Sequence, residues 1–111
     1  MFVNATPHDV NVYDASKNPV KVIGISKEVQ AQVKASRKLI GVFGGAEIYE
    51  IEYGQPSPLP APQEGVFYIV SSLYAAALRA AGDKRPDILT PGDSIRSDTG
   101  QVIGCVGFNV A

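Results

Sequence analysis

Hydrophobic and polar residues alternate along much of the first half of the chain, and a period of two is typical of a strand with one buried face. Val10 and Val12 alternate with polar neighbours, and Val20 and Val22 do so again after the turn-forming segment 15–19. A shorter apolar stretch precedes them and is broken at a Thr-Pro step. The chain is therefore predicted to begin with a β-meander.

The most regular alternation lies in residues 28–36, EVQAQVKAS. Its apolar positions share one face of a strand, whereas a helical stripe would collect only three apolar residues, so a half-buried strand is predicted. A second alternating run, from Tyr49 to Tyr53, follows a glycine pair at 44–45 that suits a tight turn. We expect the two runs to pair as an antiparallel hairpin.

The middle of the chain changes character twice. Residues 54–65 hold four prolines in twelve residues, which excludes a sheet ladder and predicts a stiff, extended connector. The apolar run 66–70 then predicts a buried strand. Ser71 or Ser72 follows as the N-cap of an alanine-rich helix that ends at Gly82.

The last part of the chain is predicted to be a hairpin, because an Asp-Thr-Gly turn sequence at 98–100 separates two apolar segments. Together the elements predict an α+β fold, in which one main helix packs on a curved antiparallel sheet of about six strands. A chain of 111 residues is expected to form a single domain over residues 1–111.

Composition and charge narrow the class of function. Hydrophobic residues make up 45% of the chain and charged residues 19%, so a core can form. The net charge of −1 argues against binding of duplex nucleic acid, which needs a basic excess. The charges are uneven, with six Lys and Arg against three acids in residues 1–38, and four Glu without a base in residues 39–65. That distribution suits contact between subunits, although a solvated surface is its commoner explanation.

The chain holds one cysteine and no apolar run that resembles a signal peptide or spans a bilayer, so we expect a cytoplasmic protein without membrane contact. Cys105 lies in the apolar sequence VIGCVGF, where a buried thiol is expected. The one histidine, His8, would need a partner to act as a general base, and the sequence identifies none. No metal-ligand spacing or phosphate loop occurs, so no metal, cofactor or catalytic residue is predicted.

A binding site is predicted where the apolar strand meets the helix. Backbone N–H groups at Ser71 and Ser72, together with the positive end of the helix dipole, suit a phosphate. Arg85 and Arg96 follow in the sequence and are predicted to hold phosphates, because arginine binds them in a bidentate manner.

Aromatic and acidic residues complete the predicted site. Phe67 or Tyr74 would stack on a base, and Asp87 or Asp93 would bind ribose hydroxyls. His8 is included among the candidate ligand-binding residues. A structural alternative stays open, in which each arginine pairs with a neighbouring aspartate and only fixes the loop.

Three segments of the chain resemble a family of small, uncharacterised bacteriophage and prophage proteins. They are NATPHDVNVYD at 4–14, LPAPQEGVFYIVSSLYAAAL at 59–78 and RPDILTPGDSIRSDTGQVIGC at 85–105. The family pattern has an N-x-T-P-H start, a P-x-P-Q-E-G segment before Y-I-V-S, and a closing G-x-I-G-C, so the likeness covers nearly the whole chain. It departs at Ser97, where the family has an acid directly after arginine, so a contact of that acid would move to Asp98.

The resemblance implies a function by analogy, since compact phage proteins of this size include sponges that sequester nucleotide-derived immune signals. We predict a cytoplasmic, phage-type homo-oligomer that sequesters a cyclic ADP-ribose isomer or a cyclic oligonucleotide without turnover. Two alternatives are a protein-interaction or structural subunit that inhibits a host protein, and a hydrolase of such nucleotides with His8 as acid or base.

Overall fold

Eight strands and one helix make up the chain, and the computed structural model describes all of it from Met1 to Ala111. In chain order the elements are β1 (Phe2–Asn4), β2 (Val10–Tyr13), β3 (Pro19–Ile23), β4 (Ala35–Phe43), β5 (Ala46–Tyr53), β6 (Phe67–Ile69), α1 (Ser72–Ala80), β7 (Ile88–Arg96) and β8 (Val102–Val110). No helix is long and apolar enough to cross a membrane.

Six of the strands form one sheet in the order β1-β6-β7-β8-β2-β3. The neighbours β1 and β6, β6 and β7, and β2 and β8 are parallel, whereas β2 with β3 and β7 with β8 are antiparallel. A parallel backbone bridge between Asn4 and Ile25 joins β1 to the chain just after β3. The sheet therefore curls into a nearly closed barrel.

The predicted α+β class, the single helix and the curved six-stranded sheet are confirmed, but the sheet is mixed and not antiparallel. The connections explain the difference. Helix α1 carries the chain from the end of β6 to the start of β7, and such a crossover makes the two strands parallel. β7 and β8 are joined by the tight turn predicted at 98–100, so they are antiparallel.

The core lies on both sides of the sheet, because successive residues of an extended chain point in opposite directions. Val70 packs with Tyr74 and Ala75 on the helix side, whereas Ile69 packs with Cys105 on the other side. All five residues are buried. Burial raises the pKa of the Cys105 thiol, so this residue stays neutral and acts as a small apolar side chain, as the sequence predicts.

Helix α1 begins and ends at residues that the sequence indicates. The Oγ of Ser71 accepts a hydrogen bond from the backbone N–H of Tyr74 at 3.1 Å, which makes Ser71, and not Ser72, the N-cap. Gly82 follows the last turn with a φ of 78°, a value that favours glycine. The predicted helix is thus confirmed at both ends.

The strand predicted over 28–36 is wrong for most of its length, because Glu28 lies in a bend and residues 29–34 belong to no strand. The alternation itself is real, since the three apolar side chains of this segment are half-buried against the helix-side core. The backbone bonds, however, go to Ala5 and to Ser57 of the proline-rich connector. Prolines in that connector lack the N–H groups that a regular ladder requires.

The second sheet is the β4–β5 hairpin, which turns at Gly44 and Gly45 with φ of 58° and 81°. The predicted glycine turn and the antiparallel pairing are confirmed, with the first strand shifted to Ala35–Phe43. Every residue of β4 is exposed, and so is every residue of β5 except Tyr49. The hairpin is therefore an arm that the core does not cover.

Candidate functional site

The Asn-Ala-Thr-Pro-His segment forms a buried polar turn between β1 and β2. Asn4 is only 1% exposed, and its Nδ2 donates to the carbonyl oxygens of His8 and Ile23 at 2.8 and 3.0 Å. Its Oδ1 accepts from the backbone N–H of Thr6 at 3.0 Å, and the Thr6 hydroxyl lies 2.6 Å away. One carboxamide thus ties β1 to the start of β2 and the end of β3.

His8 contributes its backbone, and not its side chain, to this turn. The residue is exposed, and its imidazole makes no hydrogen bond within the chain. A general base needs a neighbour that orients it or accepts its proton. The arrangement gives the Thr-Pro-His step a structural role.

A cleft of about 840 Å³ opens at the N-terminal end of α1. One wall is the start of the helix, with Ser71 and Leu73, and the other is the extended segment 30–34 with part of the connector. Outside the helix, the polar side chains in the lining of the cleft are Thr6, Gln30, Gln32, Lys34, Gln55 and Ser57. The volume lies within the range of about 300–1,000 Å³ that small-molecule sites occupy.

The electrostatics of the cleft favour an anion. The N–H groups of Ser72 and Leu73 have no intrahelical partner, because the first backbone bond of the helix runs from Ala75 to Ser71. The positive end of the helix dipole lies at the same place. Lys34 is the one charged side chain in the lining, which includes no carboxylate.

Arg85 and Asp87 form a bidentate ion pair at the opposite end of α1. Nε and Nη2 of the arginine donate to the two carboxylate oxygens at 3.0 and 2.7 Å, and Nη2 also donates to the carbonyl oxygen of Pro60 at 2.8 Å. The side chains are 15% and 10% exposed. The pair therefore fixes the connector to the start of β7, which is the structural alternative that the sequence left open.

This ion pair makes the free energy of unfolding depend on pH in the acid range. The hydrogen bonds from Arg85 hold the pKa of Asp87 below its usual value. The ion pair therefore contributes its full stabilisation to the fold above the pKa of an unfolded aspartate, about 3.9. This stabilisation is lost as pH falls through the lower pKa that Asp87 has in the folded state. Between about pH 7 and about pH 3, we expect the wild type to lose more free energy of unfolding than Asp87→Asn. Urea denaturation at both pH values measures this, and equal losses would contradict the pairing.

The two aromatic residues predicted to stack on a base lie away from the cleft surface. Tyr74 is 1% exposed, its hydroxyl donates to the carbonyl oxygen of Ser57, and burial raises its pKa. Phe67 shares its strand face with Ile69, away from the helix, and its ring centroid lies 6.0 Å from that of Phe2. Tyr74 thus lies in the core beneath the helix and binds the connector at Ser57, whereas Phe67 belongs to another surface.

Arg96 and Asp93 lie on β7, outside the cleft. Nη1 of Arg96 donates to the carbonyl oxygen of Gly100 at 2.8 Å, so it closes the turn between β7 and β8 and makes no salt bridge with an aspartate. Asp93 is exposed. Of the nine predicted ligand-binding residues, only Ser71 lines the cleft, and Ser72 follows it as the first residue of α1. Arg85 lies beyond the far end of the nine-residue helix, roughly 13 Å long.

Arg85 does border a smaller groove of about 370 Å³, with Arg79 and Lys84 beside it. That groove also contains Asp83, and it lies at the C-terminal end of α1, where the helix dipole is negative. Both features oppose the binding of an anion. The cleft at the N-terminal end is therefore the better candidate.

Sequence reasoning missed Gln30, Gln32, Lys34 and Gln55. The first three are the polar positions of the alternating segment, and a polar face is normally read as solvated surface. They border the helix start only because this segment packs against the connector and the core. The alternation was the available signal, but it does not say which side chains face a cleft.

Comparison of the chain with family models, with curated proteins and with solved structures finds no match. The likeness to phage proteins stays a prediction from the three sequence segments. The case for a function therefore depends on the cleft, its charge and its neighbours.

Proposed function

We propose that this chain is a non-catalytic binding protein that sequesters a nucleotide-derived ligand in the cleft at the N-terminal end of α1. The observation that carries the proposal is a single lining that holds the unpaired start of α1, at Ser71 and Leu73, together with Lys34 and no carboxylate. This combination favours phosphate. The phage-type resemblance, and the cyclic ADP-ribose or cyclic oligonucleotide class that it suggests by analogy, belong to the same proposal.

The rest of the lining suits the other parts of a nucleotide. Gln30, Gln32 and Gln55 carry carboxamides, which both donate and accept hydrogen bonds and so match ribose hydroxyls and base edges. Leu73 and Val33 supply apolar surface for the face of a base. In this proposal Ser71 and Ser72 keep their predicted role, whereas Arg85 and Asp87 support the fold.

Sequestration without turnover agrees with the chemistry of the nearby groups. The imidazole of His8 is exposed and unsupported, and the thiol of Cys105 is buried with a raised pKa. The lining of the cleft offers carboxamides, hydroxyls and one lysine, and the hydroxyls of Thr6, Ser57 and Ser71 are bonded to backbone groups or to the Asn4 carboxamide. These groups can hold a phosphate ester, and they offer no acid-base pair to cleave it.

A charge placed in the cleft tests the proposal. Leu73 is 43% exposed and lies in the first turn of α1, where a glutamate favours the helix, so Leu73→Glu should fold and repel an anion. Calorimetric titration with cyclic ADP-ribose and cyclic di-AMP is expected to show binding of at least one by the wild type. We expect the affinity of Leu73→Glu to fall at least about tenfold.

Ala80→Glu is the matched control, because it adds the same charge to the exposed last residue of the same helix, away from the cleft. Its affinity is expected to equal that of the wild type. Equal binding by Leu73→Glu and the wild type would contradict the site. Conversion of the titrated nucleotide to a product would contradict the non-catalytic role.

A further inference from the structure

The β4–β5 hairpin has one face that combines apolar side chains with one arginine and one glutamate. In an antiparallel pair, residues opposite one another share a face, and the pairs of this face are Ala35–Tyr53, Arg37–Ile51, Leu39–Tyr49 and Val42–Glu47. We call these eight residues the arm face. The opposite face is polar at the open end of the hairpin, where Lys38 and Glu52 form an ion pair at 3.9 Å, and apolar near the turn, where it carries Phe43 and Ile48.

The arm face is uncovered in the single chain. Leu39, Val42 and Ile51 are each more than half exposed, at 51%, 63% and 56%. An isolated two-stranded hairpin is at best marginally stable in water, and it needs further strands or a packed face. A hairpin whose two strands of 9 and 8 residues carry such a face therefore requires a partner surface.

The whole chain exposes more surface than a monomer of its size. Its accessible surface is 7599 Å², whereas a folded monomer of 11.8 kDa is expected to expose about 5,900 Å². The radius of gyration is 16.2 Å, against about 13 Å for a compact chain of this length. The excess of roughly 1,700 Å² per chain is the size of surface that an obligate oligomer buries.

The charged residues of the arm face indicate which partner would fit it. Arg37 stacks over the ring of Tyr49 at 3.8 Å, and Glu47 accepts a hydrogen bond from the hydroxyl of the same tyrosine. Tyr49 and Leu39 thus form the middle of the arm face, with the cation toward one end and the carboxylate toward the other. A two-fold axis across the Leu39–Tyr49 pair brings the Arg37 end of one copy against the Glu47 end of the other.

We propose that the partner is a second copy of this chain, and that two hairpins pack arm face to arm face, antiparallel, around that axis. Leu39, Val42 and Ile51 of the two copies form the apolar centre, and each Arg37 faces a Glu47 across the interface. The pairing covers one face of the sheet that the core leaves exposed. It involves no residue of the cleft, so its test is separate from that of ligand binding.

Complementation of charge variants tests this pairing. Arg37→Glu alone places two carboxylates at each end of the interface, and Glu47→Arg alone places two cations there. Sedimentation velocity is expected to show a wild-type dimer and, for each single variant, dimerisation that is at least about tenfold weaker. An equimolar mixture of the two variants is expected to form a heterodimer, because opposite charges then meet at both ends.

Lys38→Glu and Glu52→Lys are the matched controls, since they lie on the opposite face of the same strands. Both are expected to dimerise like the wild type. A wild type that stays monomeric at high concentration would overturn the proposal. A wild-type dimer whose Arg37→Glu and Glu47→Arg variants dimerise normally, or do not complement each other, would overturn this surface.

Discussion

An Asn4→Ala variant is expected to unfold with a free energy about 3 kcal/mol below that of the wild type. The substitution removes a carboxamide that is 1% exposed. It leaves the N–H of Thr6 and the carbonyl oxygens of His8 and Ile23 without that partner. Each unpaired buried polar group costs about 1–3 kcal/mol, and the partly buried carbonyls recover some water. Urea denaturation followed by circular dichroism measures the difference.

His8→Ala is the matched control within the same motif. Its imidazole is exposed and makes no hydrogen bond, and its backbone groups stay in place, so the expected change is within about 0.5 kcal/mol. Both variants are compared at one protein concentration, since association of subunits adds to the apparent stability. A neutral Asn4→Ala, or an equally damaging His8→Ala, would contradict the structural account of the motif.

Gly92→Ala is expected to lower the free energy of unfolding by at least about 3 kcal/mol. Gly92 lies in β7 against β8, and a Cβ at this position would run into the carbonyl oxygen of Val106 and lie 3.0 Å from that of Gly107. These are backbone atoms of the paired strand, which cannot move without breaking the ladder. Thermal and urea denaturation of the variant measure the cost.

Gly24→Ala is the control for the second prediction. A Cβ at Gly24 has Asp9 Oδ1 at 3.9 Å as its one neighbour within 4 Å, an ordinary contact, so the change should be small. If Gly92→Ala were as stable as Gly24→Ala, the close approach of β7 and β8 would be incorrect. The glycine at position 92 would then need an explanation other than strand packing.

Local signals predicted the elements that local chemistry determines. Ser71 caps a helix because its hydroxyl reaches an N–H three residues on, and Gly44–Gly45 turn because both adopt positive φ. Residues 28–34 show where such signals fail. Their alternation records a half-buried extended chain, but a ladder also needs a partner with N–H groups, and the sequence pattern does not identify the partner.

The candidate site was harder to predict than the fold, because it depends on packing between distant segments. Lys34 and Ser71 are far apart in the sequence and line one cleft. Arg85 and Asp87 were predicted to bind the ligand, yet their side chains form an ion pair with each other. Pro91 lies within β7, and the strand continues through it because β6 pairs only with Ile88 and Leu89.

The most direct test of the proposed function is to identify what the folded protein removes from a mixture of nucleotides. Purified wild type and Leu73→Glu are incubated with an extract that contains bacterial immune nucleotides, washed and heat-denatured, and the released small molecules are analysed by mass spectrometry. We predict an intact cyclic nucleotide from the wild type and none from Leu73→Glu. An altered nucleotide, or no nucleotide from wild type shown to be folded, would contradict sequestration in the cleft.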